Sequence, residues 1–361
     1  MTTATERIQT VPEPALLPPI TGEGVFSAEE VRQMQEATEG VVSPAVLRDL
    51  FTEDELSPVA GGSNRAVVIP DLLRLPADLN AVFRSMFEQL QTGGFLVCRL
   101  ETSQQRKQRL IRKLPGGIRQ VYYLGDYALH RVAPRLFLTR TLYRKLFVSL
   151  RAISKAEVIG RLYYAGFSVD TVLEAPDHLV IVARKTSEQY TERRPSSEGP
   201  LLRLWRVGRG GRSFCVYKFR TMHPYSEHLQ EYLIQTNGLE TGGKFRNDFR
   251  ITTPGKWMRK YWIDEIPMVI NLLKGDMKLV GVRPLSAHYL SLYPEEVQQA
   301  RFQFKPGLLP PYYADMPQNF AEIVESERRY LDAYAKAPLR TDLRYLGRIV
   351  YNILWKRARS K

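Results

Sequence analysis

Residues 254–284 read PGKWMRKYWIDEIPMVINLLKGDMKLVGVRP. Thr253-Pro254 predicts a helix start: a polar cap, then a proline whose fixed φ suits a first turn. Pro267 rules out one continuous helix, because it lacks an N–H and its ring crowds the preceding turn. A proline is comfortable within a first turn, so the pattern predicts one helix over about 254–262 and a second from near Asp264 to just before Gly275. Lys278–Val280 then reads as a short apolar strand, closed by Gly281-Val282-Arg283-Pro284. Short helices mixed with short strands point to an α+β domain.

This stretch also holds the densest chemistry. Asp264 and Glu265 fall at a predicted helix N-terminus, where the dipole and free N–H groups favour an ionised carboxylate and can hold a phosphate. Arg259 and Lys260 lie less than two turns upstream. A carboxylate pair there could work on a phosphoryl group with a divalent metal; acidic helix capping would leave the same trace. Upstream, Val216-Tyr217-Lys218-Phe219-Arg220-Thr221-Met222 alternates as a strand does, placing Lys218 and Arg220 on one face. Two cations on one face can grip a diphosphate, or simply face solvent. Arg283, stiffened by Pro284, is a candidate phosphate ligand, although ordinary turn chemistry accounts for it too. His130, His178, His223, His228 and His288 are scattered, and His223 and His228 read as solvated.

Towards the N-terminus the pattern changes. Residues 1–40, rich in Pro, Thr and Glu, read as a flexible lead-in. Residues 41–187 read as α/β. Arg65–Pro70 is a strand candidate, and Leu79, Val82, Phe83, Met86, Phe87 and Leu90 recur at helical spacing. Phe95–Cys98 is a strand after Thr92-Gly93-Gly94. Ser154 with Glu157 three residues on marks a helix start over 154–165. Phe167–Leu173 and His178–Ala183 are strands joined at Pro176-Asp177. The order suggests an incomplete Rossmann-like layer. The polar run TSEQYTERRPSSE at 186–198 marks a boundary, with 188–198 as linker and 199–361 as a second domain.

At 361 residues the chain has room for about two domains. Lys and Arg number 52 against 38 acids, a net charge of +14 that points to a polyanionic partner: nucleic acid, an anionic membrane face or a phosphorylated substrate. Two cysteines, Cys98 and Cys215, exclude a disulfide framework and a thiolate zinc cluster, and fit a reducing compartment. The first residues lack the apolar core of a secretory signal, and no apolar run is long enough to span a bilayer.

Together, RVGRGGRSFCVYKFRTM, DFRITTPGKWMRKYWIDEIPMVINLLKGDMKLVGVRPL, FKPGLLP and YLDAYAKAPLRTDLRYLGRIVYNIL, in this order over about 199–361, resemble the bacterial sugar transferase family, the monotopic polyprenyl-phosphate glycosyl-1-phosphate transferases. The resemblance implies catalysis by Asp264 and Glu265, and phosphate binding by Lys218, Arg220, Arg259 and Arg283. It implies Mg²⁺, with Mn²⁺ as a substitute, held by Glu265, Asp276 and Asp332. The implied reaction moves a sugar-1-phosphate from a nucleoside diphosphate sugar, expected to be a UDP-sugar, to polyprenyl (undecaprenyl) phosphate, initiating glycan or glycoconjugate assembly. Implied partners are these two substrates, an inner-membrane lipid surface and later glycosyltransferases of the same pathway. The implied place is the cytoplasmic face of a bacterial inner membrane, peripheral or monotopic and not spanning. Two departures stand out. The polar run 186–198 occupies the place of the family's re-entrant apolar helix, and LLPPYYADMPQN follows Pro306-Gly307 where the family has a loop with Trp and Asn-Gly-Arg.

Residues 77–187 resemble the C-terminal half of a class I methyltransferase fold, from LNAVFRSMFEQLQTGGFLVCRLE to GFSVDTVLEAPDHLVIVARK. Gly22-Glu23-Gly24 and Gly61-Gly62 do not follow convincing strands, so no S-adenosylmethionine site is expected. Residues 112–151 carry nine Lys/Arg against one acid, Asp126, interleaved with aromatic and aliphatic residues. Such a basic amphipathic insertion suits an anionic membrane interface. Tyr122, Tyr123, Arg140, Arg144, Lys145 and Phe147 are the candidate contacts, joined by Trp355 beside the C-terminal stripe Leu346, Ile349, Val350, Ile353 and Leu354. An inserted helical pair packed on its own domain, or an RNA-binding surface, would use the same residues. The rival functions are a basic nucleic-acid-binding protein, which leaves the Asp-Glu pair unexplained, and a catalytically inactive scaffold of a glycan-assembly complex. Nucleic acid is not an expected partner.

Overall fold

The computed structural model describes residues 26–41, 64–69, 78–133, 139, 152–190, 195–237 and 248–356. Arg140, Arg144, Lys145 and Phe147, and both glycine pairs near the N-terminus, lie outside the described residues.

A four-stranded sheet organises the N-terminal part. Its strands are β1 (Asn64–Ile69), β2 (Leu90–Leu100), β3 (Phe167–Glu174) and β4 (Leu179–Lys185), in the order β1-β2-β4-β3. β1 runs parallel to β2, while β4 is antiparallel to both β2 and β3. Helix α1 (Ala28–Ala37) packs on one face, putting Met34 against Val68, Val97 and Val182. So where it is described, the expected flexible lead-in is a helix, capped reciprocally by Ser27 and Glu30. Helices α2 (Leu79–Gln89) and, later in the chain, 155–164 cover the other face with Phe83, Phe87, Ile159 and Leu162. With both faces covered, Phe95–Cys98 can be apolar at every position.

Between β2 and β3 come α3 (Ser103–Lys113), α4 (Arg119–Tyr127) and a π-helical turn, Ala128–Val132. Helix α5 (Lys155–Tyr164) begins at the Ser154 cap, whose hydroxyl accepts from the Glu157 N–H.

The remainder is α+β. A hairpin of β5 (Leu201–Val207) and β6 (Ser213–Phe219) turns through Gly210 and Gly211, both at positive φ. A 3₁₀ turn (Ser226–Leu229) leads into α6 (Gln230–Asn237). Leu229, Tyr232 and Leu233 from this region complete the core under the N-terminal sheet. Next come α7 (Thr253–Lys260), a 3₁₀ turn (Ile263–Met268) and α8 (Val269–Leu273). β7 (Lys278–Val280) then pairs in parallel with a strand at 307–309. They cross so closely that a Cβ on Gly307 would lie 2.1 Å from the Gly281 nitrogen, which explains both glycines.

Helices α9 (Ala287–Leu290) and α10 (Glu295–Phe302) precede that strand, β8 (Gly307–Leu309). Helices α11 (Tyr312–Asp315), α12 (Phe320–Lys336) and α13 (Pro338–Leu354) follow it. The C-terminal stripe divides: Leu346, Ile349 and Ile353 enter the core with Tyr330 and Tyr345, whereas Val350 and Leu354 face out with Trp355. No helix among the described residues is long and apolar enough to cross a membrane.

Candidate active site

Each element around the Asp264-Glu265 pair is held by a specific polar contact. Thr252, one residue before the expected cap, caps α7: its hydroxyl accepts from Gly255 N–H at 2.9 Å. A Cβ on Gly255 would sit 2.0 Å from the Thr221 carbonyl, so only glycine lets α7 lie this close to the chain leaving β6. One turn on, Arg259 Nε donates to Thr221 Oγ1 at 2.9 Å. Trp262 breaks the helix at φ +56°, a left-handed conformation costly for a bulky residue. Its indole N–H donates to the Tyr313 hydroxyl at 2.9 Å, and its carbonyl accepts from Glu265 N–H at 3.0 Å. The chain then enters a 3₁₀ turn rather than the expected α-helix, with Pro267 inside it and Asp264 and Glu265 in the first turn.

Lys218 crosses from β6 to meet this turn: Nζ lies 2.6 Å from Glu265 Oε1, with both side chains mostly buried. Asn271, fully buried on α8, fixes the strand that carries Lys218. It donates to the Cys215 carbonyl at 2.6 Å and accepts from Tyr217 N–H at 3.1 Å. Asp264 is different. Its Oδ1 is buried without a hydrogen-bond partner. Burial pushes its carboxyl above the ordinary value; the neighbouring Glu265 adds to this, while Lys218 and Arg259 oppose it. Burial also lowers the Lys218 value, partly offset by Glu265 and Asp264, and the Arg259 value, partly offset by Asp264 and Asp248.

Arg283 completes the cationic side. Nη1 donates to the Tyr312 hydroxyl at 2.8 Å. Burial disfavours its charge, but Tyr312 and Glu265 more than compensate, and its value is raised. A cavity of about 480 Å³ opens beside it, lined by Arg206, Tyr289, Tyr293, Tyr312 and Tyr313 among others. The segment LLPPYYADMPQN, where the chain departs from the family pattern, thus supplies two of the cavity's tyrosines.

The structure therefore gathers Asp264, Glu265, Lys218, Arg259 and Arg283. Arg220 lies elsewhere: β6 ends at Phe219, and the Arg220 guanidinium turns back to the Gly199 carbonyl at 2.9 Å and Ser197 Oγ at 2.6 Å. The expected metal set is not assembled. Asp276 lies in the turn before β7, 3.4 Å from Asn271 Nδ2, and Asp332 is exposed on α12. No three His, Cys, Asp or Glu side chains cluster as a metal site among the described residues. The histidines expected in solvent are packed: His223 Nδ1 lies 2.7 Å from Arg131 Nη2, and the His228 ring lies 5.5 Å from that of Tyr164. Asn271, Trp262 and Tyr312 were not anticipated, since a lone residue in an apolar or proline-rich run forms no pattern.

Comparison with known proteins matches residues 191–356 to the family model described as bacterial sugar transferase. Relatives include the galactosyl transferase CpsE of Streptococcus agalactiae, 40% identical over 135 residues, which are 36% of this chain and 30% of that protein. The undecaprenyl-phosphate galactose phosphotransferase of Salmonella typhimurium is 40% identical over 108 residues, 28% of this chain and 22% of that one. A UDP-glucose:undecaprenyl-phosphate glucose-1-phosphate transferase of Caulobacter vibrioides is 37% identical over 115 residues, 31% and 39% of the two chains. The match spans well under half the length of each of these relatives. The α+β part of the chain, residues 191–356, is thus similar to the bacterial sugar transferase family.

Proposed function

We propose that this chain transfers a sugar-1-phosphate from a nucleoside diphosphate sugar, with a UDP-sugar as the expected donor, to polyprenyl phosphate. The observation that carries the proposal is the Asp264 carboxylate: half-buried, with one buried oxygen lacking a partner, beside Lys218 and Arg259, while Arg283 faces the adjoining Glu265. Such a carboxylate is poised for an electrophile, and phosphoryl transfer asks mainly for position and charge neutralisation.

In the first displacement an Asp264 oxygen attacks the phosphorus that bears the sugar. The bond from that phosphorus to the bridging oxygen breaks, and the nucleoside monophosphate leaves with the electron pair. In the second, an oxygen of polyprenyl phosphate attacks the same phosphorus, forming the lipid diphosphosugar and releasing the carboxylate. Lys218 holds Glu265, and Arg259 and Arg283 supply positive charge on the flank where the diphosphate would lie.

The Glu265 carboxylate, of which only Oε1 takes the Lys218 ammonium, fits Mg²⁺, which is commonly bound by one or two protein carboxylates plus substrate phosphates. Glu265 would hold it, and it would supply charge neutralisation.

A lipid-borne acceptor and a soluble donor place the reaction at the cytoplasmic face of a bacterial inner membrane. For the N-terminal part, the sheet order with its closing antiparallel pair supports a methyltransferase-like half-fold. The deciding experiment incubates the protein with a phosphate-labelled UDP-sugar, Mg²⁺ and no acceptor, then maps the label by peptide mass spectrometry. Label is expected on Asp264 and absent from Asp264→Asn. Label on another residue, or undiminished labelling of that variant, rejects the assignment.

A further inference from the structure

Helix α4 and the π-helical turn after it are built inside out. Ile118, Val121, Tyr122, Leu129 and Val132 recur at helical spacing, the pattern that normally marks a core face. Here that stripe faces outward: Val121 is 71% exposed, and Leu124 beside it 63%. The inner side is polar. Asp126 pairs with Arg106 at 2.6 Å, and His130 and Arg131 are buried. Burial, with Arg106 nearby, pushes the His130 value down, which favours neutral imidazole. Arg131 reaches His223 of the α+β part, 2.7 Å away. Tyr123, expected as a membrane contact with Tyr122, is half-buried, with Lys107 over its ring at 5.1 Å. The polar contacts thus fix which side of the helix faces the protein.

A cationic rim frames the apolar stripe. Arg112 and Lys113 end α3, and Arg119 begins α4, all exposed. Asp126 is the only acid between Thr102 and Ala133, and it is engaged on the inner side. An apolar stripe with a positive rim and no outward-facing acid complements anionic headgroups over acyl chains.

We propose that the face formed by Ile118, Val121, Tyr122, Leu124 and Leu129 lies on an anionic lipid bilayer. The contact belongs to the N-terminal part of the chain, outside the α+β part, and its tie through Arg131 and His223 would hold that part at the surface. Naming a bilayer as the occupant rests on the lipid-acceptor reading above.

The test floats the full-length protein with phosphatidylcholine vesicles, with and without phosphatidylglycerol. Wild type is expected to float with the anionic vesicles, weakening as salt rises. Val121→Glu/Leu124→Glu changes only exposed side chains, so circular dichroism and thermal midpoint should match wild type while flotation falls at least tenfold. Arg112→Glu, Lys113→Glu and Arg119→Glu should each lower partition about fivefold or more, on anionic vesicles only. Flotation unchanged in the double variant overturns the proposal. So does a wild type that ignores vesicles and is instead converted from dimer to monomer by the double variant, which would mean that a second copy covers this face. Turnover on a detergent-dispersed acceptor is measured alongside: its absence in wild type defeats the reaction, whereas lost flotation with intact turnover concerns only the lipid contact.

Discussion

Lys218 and Glu265 meet at 2.6 Å across the gap between hairpin and 3₁₀ turn, and the pair sits beside an Asp264 whose Oδ1 has no partner. The ammonium thus neutralises one carboxylate directly and the other only through space. Lys218→Met should therefore act on both. Glu265 loses its ion pair, at a cost of at most about 3 kcal/mol in a site this buried. Asp264, already raised by burial, loses the cation that opposes the shift and should rise further. If ionised Asp264 is the nucleophile, the acid limb of kcat must move to higher pH in the variant. A fall in kcat without any movement of that limb would argue against it.

Asp264→Asn should separate stability from activity. A carboxyl raised in the folded state binds its proton more tightly there than in the unfolded chain. Its stabilising contribution is thus complete below the unfolded value and is lost as pH rises through the folded one. At neutral pH ionisation of this half-buried carboxyl is therefore a liability. The amide should raise stability while abolishing turnover, as at other sites where function stores strain. Urea unfolding at neutral and acidic pH checks this: the gain should vanish below the ordinary carboxyl value of 3.8. A gain independent of pH would mean that the charge is not its source.

The Asp-Glu pair was legible because punctuation surrounds it: a capped Thr-Pro start upstream, Pro267 just after, and Gly275 at the end. The strand-face rule that paired Lys218 with Arg220 failed where β6 stops, since alternation holds only while the strand continues. Helix α4 shows a deeper limit. Periodicity marks an apolar stripe, but which side faces the protein was decided by Asp126 and Arg131 finding Arg106 and His223, partners 20 and 92 residues away in sequence. The scattered metal candidates Asp276 and Asp332 show that acids carried over from a motif need not converge.

Gly255 is the hinge between packing and chemistry. Alanine there would press Cβ to within 2.0 Å of the Thr221 carbonyl, so α7 must move away from the β6 exit. Arg259, which reaches Thr221 Oγ1 from the same helix, would move with it. Gly255→Ala should destabilise by roughly 1–3 kcal/mol, as overpacking does, and reduce kcat more than it raises KM for the donor. Arg259→Lys, which keeps charge but loses the planar guanidinium, should show the kinetic defect without the loss of stability. Normal kinetics in both variants would remove this helix from the site.

Arg161 tests whether the N-terminal sheet and the α+β part of the chain fold as one. It is 1% exposed on α5, donating to Glu157 at 2.9 Å and Asn80 at 2.7 Å, ion-paired with Glu198, and 4.2 Å from the centre of the Tyr225 ring. Tyr225 itself adopts φ +63° beside Gly160, where a Cβ would come within 2.4 Å of the Tyr225 carbonyl. The guanidinium thus binds residues from both sides of the polar run 186–198. Arg161→Met removes the cation that offsets Glu157, itself fully buried, and should cost about 3–5 kcal/mol. Glu157→Gln added to it should recover part of that loss, because the uncompensated charge is then gone. With Leu229, Tyr232 and Leu233 lodged under the sheet, wild type should unfold in urea as one transition seen alike by far-ultraviolet circular dichroism and tryptophan fluorescence. The four tryptophans all lie beyond residue 200, so fluorescence reports the α+β part alone. Arg161→Met should pull the two signals apart, the sheet melting first. Coincident transitions in the variant, or separate ones in wild type, would show that Arg161 does not couple the two parts.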